Sequence, residues 1–345
     1  MRRIVIHRPG SYDQLQLEEA PEPTPGAGEV LIDVAAAGVN YADCIVRMGL
    51  YESAKKYVGW PITPGFEVAG RVAALGAGVD APPVGTAVLA ITRFGGYASR
   101  VTVPAHQVFP IPTGFSTLDA AGFPAVAITA YYALHELVRL RAGMTLLVHS
   151  AAGGVGGALV QLGKIAGCRV VGVVGASHKR EVALRLGADA VIDKQSEALW
   201  PAAERLAPAG YDVVLDANGV ATLGESYRHL ASAGKLIVYG FHTMMPRRGG
   251  RPNWIKLAVD WLRTPRFNPI DMTNANKSVL AFNLSYLFHR HEILQEAMAR
   301  LSGWIDEGRF VAPPVTAFAV EEVAAAHRAI EGAGTVGKLV LTFGD

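Results

Sequence analysis

Thr145-Leu146-Leu147-Val148-His149-Ser150-Ala151-Ala152-Gly153-Gly154-Val155-Gly156 decides the fold. A leucine- and valine-rich run ends in a small-residue turn, and a helix-like run, Gly154 to Ala166, follows at once. Such a turn lets backbone amides and a helix N-terminus approach a pyrophosphate without side-chain obstruction. Against the G-x-G-x-x-G pattern the first glycine is Ala151. The spacing alone is weak, but its place between a strand and a helix is the context the pattern requires. The competing reading is a glycine turn that holds no ligand. Ala142 to Gly163 carries no Asp, Glu, Lys or Arg and has the length of a membrane span, yet its central glycines break the apolar run, as in a strand, turn and helix.

Outward from this turn, strand and helix patterns alternate. Strands are expected at Thr145 to Ser150, Arg169 to Val174, Ala190 to Asp193, Val213 to Asp216 and Lys235 to Phe241, with one helix over Asp119 to Val138. This is the pattern of a doubly wound parallel sheet. Before about Val103 the texture differs: short β-rich runs such as Val30 to Ala35, Val68 to Leu75 and Thr86 to Ile91 lie between Pro and Gly punctuation. Pro21 to Gly28 reads as a surface loop, because strand-like sequence resumes directly. From about Arg309 a strand, a helix (Val320 to Glu331) and a closing strand (Gly337 to Phe343) return.

At 345 residues, half of them hydrophobic, the chain is expected to form two domains. A formal charge of +2 gives no field suited to nucleic acid. The two cysteines, Cys44 and Cys168, supply neither a disulfide framework nor a four-thiolate zinc site. Met1 to His7 reads as a first strand rather than a signal segment, so a cytoplasmic protein is expected.

Sites that prefer NAD end the second strand of this fold with a carboxylate about 20 residues beyond the turn. Here Val174-Gly175-Ala176-Ser177-His178-Lys179-Arg180 offers a hydroxyl and two cations instead. Charge-assisted partners of that kind suit a 2′-phosphate, and the sequence favours NADPH, with Lys179 the leading contact and Ser177 beside it. Lys179 and Arg180 read otherwise as a solvated first helical turn.

These residues and several flanking strings resemble the zinc-free quinone oxidoreductase branch of the medium-chain dehydrogenase/reductase family, which is alcohol dehydrogenase-like. The strings are G-V-N-Y-A-D (38–43), P-G-F-E-V-A-G (64–70), G-G-Y-A (95–98), T-A-Y-Y-A-L (129–134), A-A-G-G-V-G (151–156) and L-G-A-D-A-V-I-D (186–193). The resemblance implies an α/β chain with a GroES-like β domain (1–122 and 268–345) split by a Rossmann NADP-binding domain (123–267), and a homodimer joined through the Rossmann sheets. It implies NADP(H) as cofactor, held by Ala152, Gly153, Gly154, Val155, Gly156, Ser177 and Lys179, with Thr129 at the carboxamide. Asn218, Tyr239 and Lys338 complete the expected set. Lys194 replaces a family tyrosine and either adds a cation for the 2′-phosphate or points to water.

Zinc-dependent relatives place a cysteine where this chain has Asn40 and a histidine where it has Phe66, so no metal site is expected. Glu67 reads equally as a paired structural carboxylate and as a catalytic one. The resemblance puts Asn40, Asp43 and Tyr51 near the substrate, where such donors polarise a carbonyl as hydride arrives. Asn40 and Asp43 also fit a loop-capping pair, and Tyr51 a packed aromatic.

Beyond Phe241, N-W-I-K-L-A-V-D-W-L (253–262) and N-K-S-V-L-A-F-N-L (276–284) look like the subgroup containing the vesicle amine transport protein. Trp254, Ile255, Leu257, Ala258, Trp261 and Leu262 share one face of a helix in a basic 247–266 segment. Packing as a lid, core or dimer face is expected, rather than contact with a membrane. His289 and His291 are expected to be solvated. The expected function is zinc-independent, NADPH-dependent reduction of a quinone or α,β-unsaturated carbonyl compound. The alternative is a nucleotide-binding interaction protein that meets a membrane or partner through 247–266.

Overall fold

Along the computed structural model, which describes residues 1–344, seven strands come first. They are β1 (Arg2–Val5), β2 (Gln16–Glu19), β3 (Glu29–Val39), β4 (Glu67–Leu75), β5 (Ala87–Ile91), β6 (Arg100–Pro104) and β7 (Val108–Pro110). Six follow in the middle: β8 (Thr145–His149), β9 (Arg169–Val174), β10 (Ala190–Asp193), β11 (Tyr211–Asp216), β12 (Leu230–Val238) and β13 (Ser278–Ala281). β14 (Val315–Ala319) and β15 (Lys338–Thr342) close the chain.

The first unit holds Met1–Ile128, Arg247–Arg251 and the chain from Leu284 onward. Its main sheet runs β14-β15-β3-β4-β5-β7, with β6 on β3, and is antiparallel except for β14 on β15. Alternation on β3 sends Val30, Ile32 and Val34 into a core shared with Val68 and Val72 of β4 and Val88 and Ala90 of β5, while Asp33 faces solvent.

The second unit holds Thr129–Pro246 and Pro252–Asn283. Its sheet is all parallel in the order β10-β9-β8-β11-β12-β13, the doubly wound order that reverses beside the first strand. β13 pairs with β12, Lys235 opposite Ser278 to Val238 opposite Ala281, so 268–283 belong with the parallel sheet and not with the β domain as expected. At the other boundary, 123–128 lie with the first unit.

The single helix expected over Asp119 to Val138 is three pieces: Thr117–Ala121, Pro124–Tyr131 and a π-helical turn, Tyr132–Glu136. Ser116 caps the first, its hydroxyl accepting from the Asp119 amide at 3.1 Å, and Pro124 opens the second where no intrahelical N–H is needed.

Candidate active site

In the second unit β8 passes through Ser150, at a left-handed φ of 56°, into the helix Gly154–Ile165, with Gly153 as its N-cap. A Cβ on Gly156 would lie 2.1 Å from the Ser150 carbonyl oxygen, so only glycine lets the helix start this close to the strand. Ala151, in place of the first family glycine, is fully buried and fits because Gly172 on β9 leaves room; a Cβ there would stand 2.8 Å from that of Ala151. The turn meets the needs of a pyrophosphate: a helix of three turns begins at a cradle of small residues, Ala152 and Gly153 among them, with no acid in its first turn.

Past β9, Lys179 is partly buried, and its ammonium is pulled below the usual lysine range by that burial and then by the charge of Lys194. Lys194 thus lies close enough for its charge to act on Lys179. Ser177, expected at the 2′-phosphate, already has a partner: its hydroxyl donates to Asp193 Oδ2 at 2.5 Å, which with the Gln195 amide holds the Asp193 carboxyl below its usual range. Arg180 donates to the Val191 carbonyl at 3.0 Å.

Asn218 lies buried in a turn tied down by a residue that sequence reasoning passed over. The fully buried Asp216 accepts at Oδ1 from the amides of Asn218 and Gly219 (2.7 and 3.2 Å), and at Oδ2 from the hydroxyls of Thr222 and Ser226 (2.7 and 2.8 Å). His149 Nε2 reaches the same Ser226 hydroxyl at 3.2 Å. Because Ser226 spends its proton on Asp216, His149 donates here, and burial lowers its basicity toward the neutral ring. A buried polar residue closing a βα turn is invisible to hydrophobic periodicity. Tyr239 follows β12 and is half-buried; burial raises its phenol well above the usual range. Thr129 is half-buried on the helix Pro124–Tyr131.

In the first unit Lys338, expected at the cofactor, is buried at the head of β15. Its ammonium donates to the Val39 carbonyl (3.0 Å), Asn40 Oδ1 (2.8 Å) and Glu67 Oε1 (2.8 Å). Asn40 Nδ2 donates to the same Glu67 oxygen at 2.8 Å, and Glu67 Oε2 accepts the Ala125 amide at 2.8 Å. Gly38 makes room for that carboxylate, since a Cβ there would lie 2.3 Å from Glu67 Oε1. A flipped Asn40 amide would set NH2 against an ammonium and C=O against a carboxylate, so its orientation is fixed. One Nδ2 proton remains uncommitted.

Asp43 is fully buried: Oδ2 accepts from the Asn40 amide (2.8 Å) and the Tyr97 hydroxyl (3.0 Å), and Oδ1 from the Gly65 amide (2.8 Å). Burial pushes its carboxyl up to about 7 against the opposing pull of these donors. It joins the Asn40 loop to the Gly65 loop, which is the capping role weighed above, extended. Tyr51 makes edge contacts with Phe66 (5.7 Å between centroids) and Phe94 (6.3 Å), in an aromatic cluster where Phe66 occupies the place of a ligand histidine.

Among the described residues one group offers three converging ligand atoms: Cys44, His327 and Glu331. Arg47 already serves it. Its fully buried guanidinium donates to Glu331 at 2.7 Å and lies 3.1 Å from His327 Nδ1. Burial drives the Cys44 thiol up and the His327 imidazole down, and the Arg47 guanidinium already places a permanent positive charge among these groups.

The helix Trp254–Arg263 departs from the expectation of core packing. Trp254, Ile255, Trp261 and Leu262 are 65–80% exposed, so this face is not packed in the core of its unit. No helix among the described residues is long and apolar enough to cross a membrane.

A GroES-like β unit and a doubly wound sheet with a glycine turn define an alcohol dehydrogenase-like oxidoreductase fold, and comparison with known proteins gives the lineage. The family descriptions "Alcohol dehydrogenase GroES-like domain" and "Zinc-binding dehydrogenase" match residues 26–113 and 186–341. The human "Synaptic vesicle membrane protein VAT-1 homolog" is 33% identical over 347 residues, covering 100% of this chain and 87% of that protein. The NADPH complex of Escherichia coli quinone oxidoreductase superposes with a TM-score of 0.86 at 26% identity over 99% of this chain and 100% of that one. The CurK enoyl reductase gives 0.85 at 25% identity, covering 99% and 98%. The chain belongs to the medium-chain dehydrogenase/reductase family, in the branch of the VAT-1 homologues.

Proposed function

We propose that this chain is an NADPH-dependent oxidoreductase that delivers hydride to a quinone or an α,β-unsaturated carbonyl compound without a metal ion. The observation that carries the reading is the glycine turn at Gly153 to Gly156 together with Lys179, whose ammonium feels the charge of Lys194. It is supported by the NADPH held by the E. coli quinone oxidoreductase. NADPH supplies the hydride when bound. The helix N-terminus takes the pyrophosphate, the two lysines take the 2′-phosphate, and Asp216 holds the Asn218 turn in shape.

On the acceptor side, the free Nδ2 proton of Asn40 is the donor offered to a carbonyl oxygen. The donor set supports metal independence: Val39 O, Asn40 Oδ1 and Glu67 Oε1 each already accept from the Lys338 ammonium, and Phe66 offers no ligand atom. The exposed face of Trp254–Arg263, flanked by Arg263 and Arg266, favours a second reading in which this segment meets a membrane or partner. A cytoplasmic homodimer acting on a small molecule, with no nucleic-acid partner, completes the proposal. Steady oxidation of NADPH in the presence of a quinone and enone panel tests it, and NADPH binding without turnover of any acceptor favours the second reading.

A further inference from the structure

A cavity of about 420 Å³ opens in the first unit between the segment after β5, the end of β6 and the start of the helix His291–Asp306, and nothing above assigns it a role. Arg93 lies in its wall. The guanidinium carbon stands 4.3 Å from the centre of the Tyr57 ring and 5.3 Å from that of Phe288, so two aromatic faces hold the planar fork in place. Among the described residues Arg93 has no carboxylate partner, and its buried Nε has no hydrogen-bond acceptor. A desolvated donor left unmet costs stability, and a fixed, unpaired arginine fork matches a planar carboxylate. The next residue, Phe94, adopts a left-handed φ of 70°, a strained conformation for an aromatic residue; such strain concentrates at ligand sites.

The rest of the lining says which anion. His106 and His291 stack at 3.7 Å between centroids, and burial with the neighbouring ring pulls His106 below the usual imidazole range. Arg93 is the one permanently charged side chain among the residues lining the cavity, suited to a monoanion rather than to a doubly charged phosphate. Phe94, Val103 and Phe288 add apolar wall, and Gln107 and Thr102 add neutral polar groups.

We propose that this cavity binds a small carboxylate with a flat apolar body, anchored by Arg93. It does not depend on the nicotinamide reading, because every residue invoked lies in the first unit. The test is calorimetric titration of the full chain with trans-cinnamate and with its uncharged amide, repeated for Arg93→Gln and Arg93→Lys. NADPH affinity and melting temperature are followed as controls. Cinnamate should bind the parent protein and the amide should not, and Arg93→Gln should weaken cinnamate at least about tenfold with the controls unchanged, Arg93→Lys falling between. Equal binding of acid and amide, absence of cinnamate binding, inorganic phosphate binding more tightly than cinnamate, or a folded Arg93→Gln protein that binds like the parent each overturns the proposal. If Arg93→Gln fails to fold, the acid and amide comparison on the parent protein decides alone.

Discussion

Lys338 and Asn40 meet through a 2.8 Å hydrogen bond from the ammonium to the amide oxygen, inside a cluster closed by Glu67. A buried cation of the chain's own thereby fixes the side chain proposed as the donor to substrate. Removing Lys338 leaves the buried Glu67 without its counter-charge and takes away one of the two contacts that hold the Asn40 amide. Lys338→Met should cost about 3–5 kcal/mol of stability, read by denaturant unfolding. Adding Glu67→Gln to it should recover part of that loss.

Asp43 links stability to pH. Its carboxyl titrates near 7 in the folded chain, above the ordinary carboxylate value of 3.8, so the folded state holds its proton more tightly than the unfolded one. The contribution is fully present below the unfolded value and is lost as pH rises through about 7. Asp43→Asn cannot ionise and should flatten the fall in stability across that window, while costing about 1–3 kcal/mol by mismatching its three donors. Unfolding free energies of the two proteins measured across the window check the difference in slope. Parallel profiles contradict it.

Lys179 and Ser177 should separate cleanly. Lys179→Ala should lose about 1.5–3 kcal/mol of NADPH affinity by calorimetry with NADH binding little changed, the scale of a charge-assisted hydrogen bond. Ser177→Ala should change NADPH affinity far less, because that hydroxyl is spent on Asp193.

The exposed tryptophans give a stability test that separates a free face from core packing. Trp254→Ser with Trp261→Ser should shift the unfolding free energy of the dilute protein by less than about 0.5 kcal/mol, as for other surface changes. A loss of several kcal/mol would mean that the face is covered in solution.

What the sequence made legible follows from periodicity. β9 and β10 fall where their β-branched runs stop, and the helix after the glycine turn ends one residue before its expected end. β13 is hidden because Ser278–Ala281 is only four residues long, so no long pattern announces it. In the site, Asn40 and the glycine turn were readable as types at a spacing. The pairing of Lys338 with Glu67 across 271 residues was not, nor was the Asp216 turn, since buried polar partners are chosen by three-dimensional proximity. The helix Trp254–Arg263 shows the reverse limit: an apolar stripe reveals which face seeks a partner, not whether the same chain provides one.

The most direct test of the central claim is the disappearance of reduced nicotinamide absorbance when the chelated protein meets NADPH and a quinone or enone, compared with NADH under the same conditions. Turnover should survive prolonged chelation, should not rise with added zinc, and should be at least about tenfold more efficient with NADPH than with NADH. Turnover abolished by chelation and restored by zinc, or equal efficiency with the two nucleotides, would contradict it.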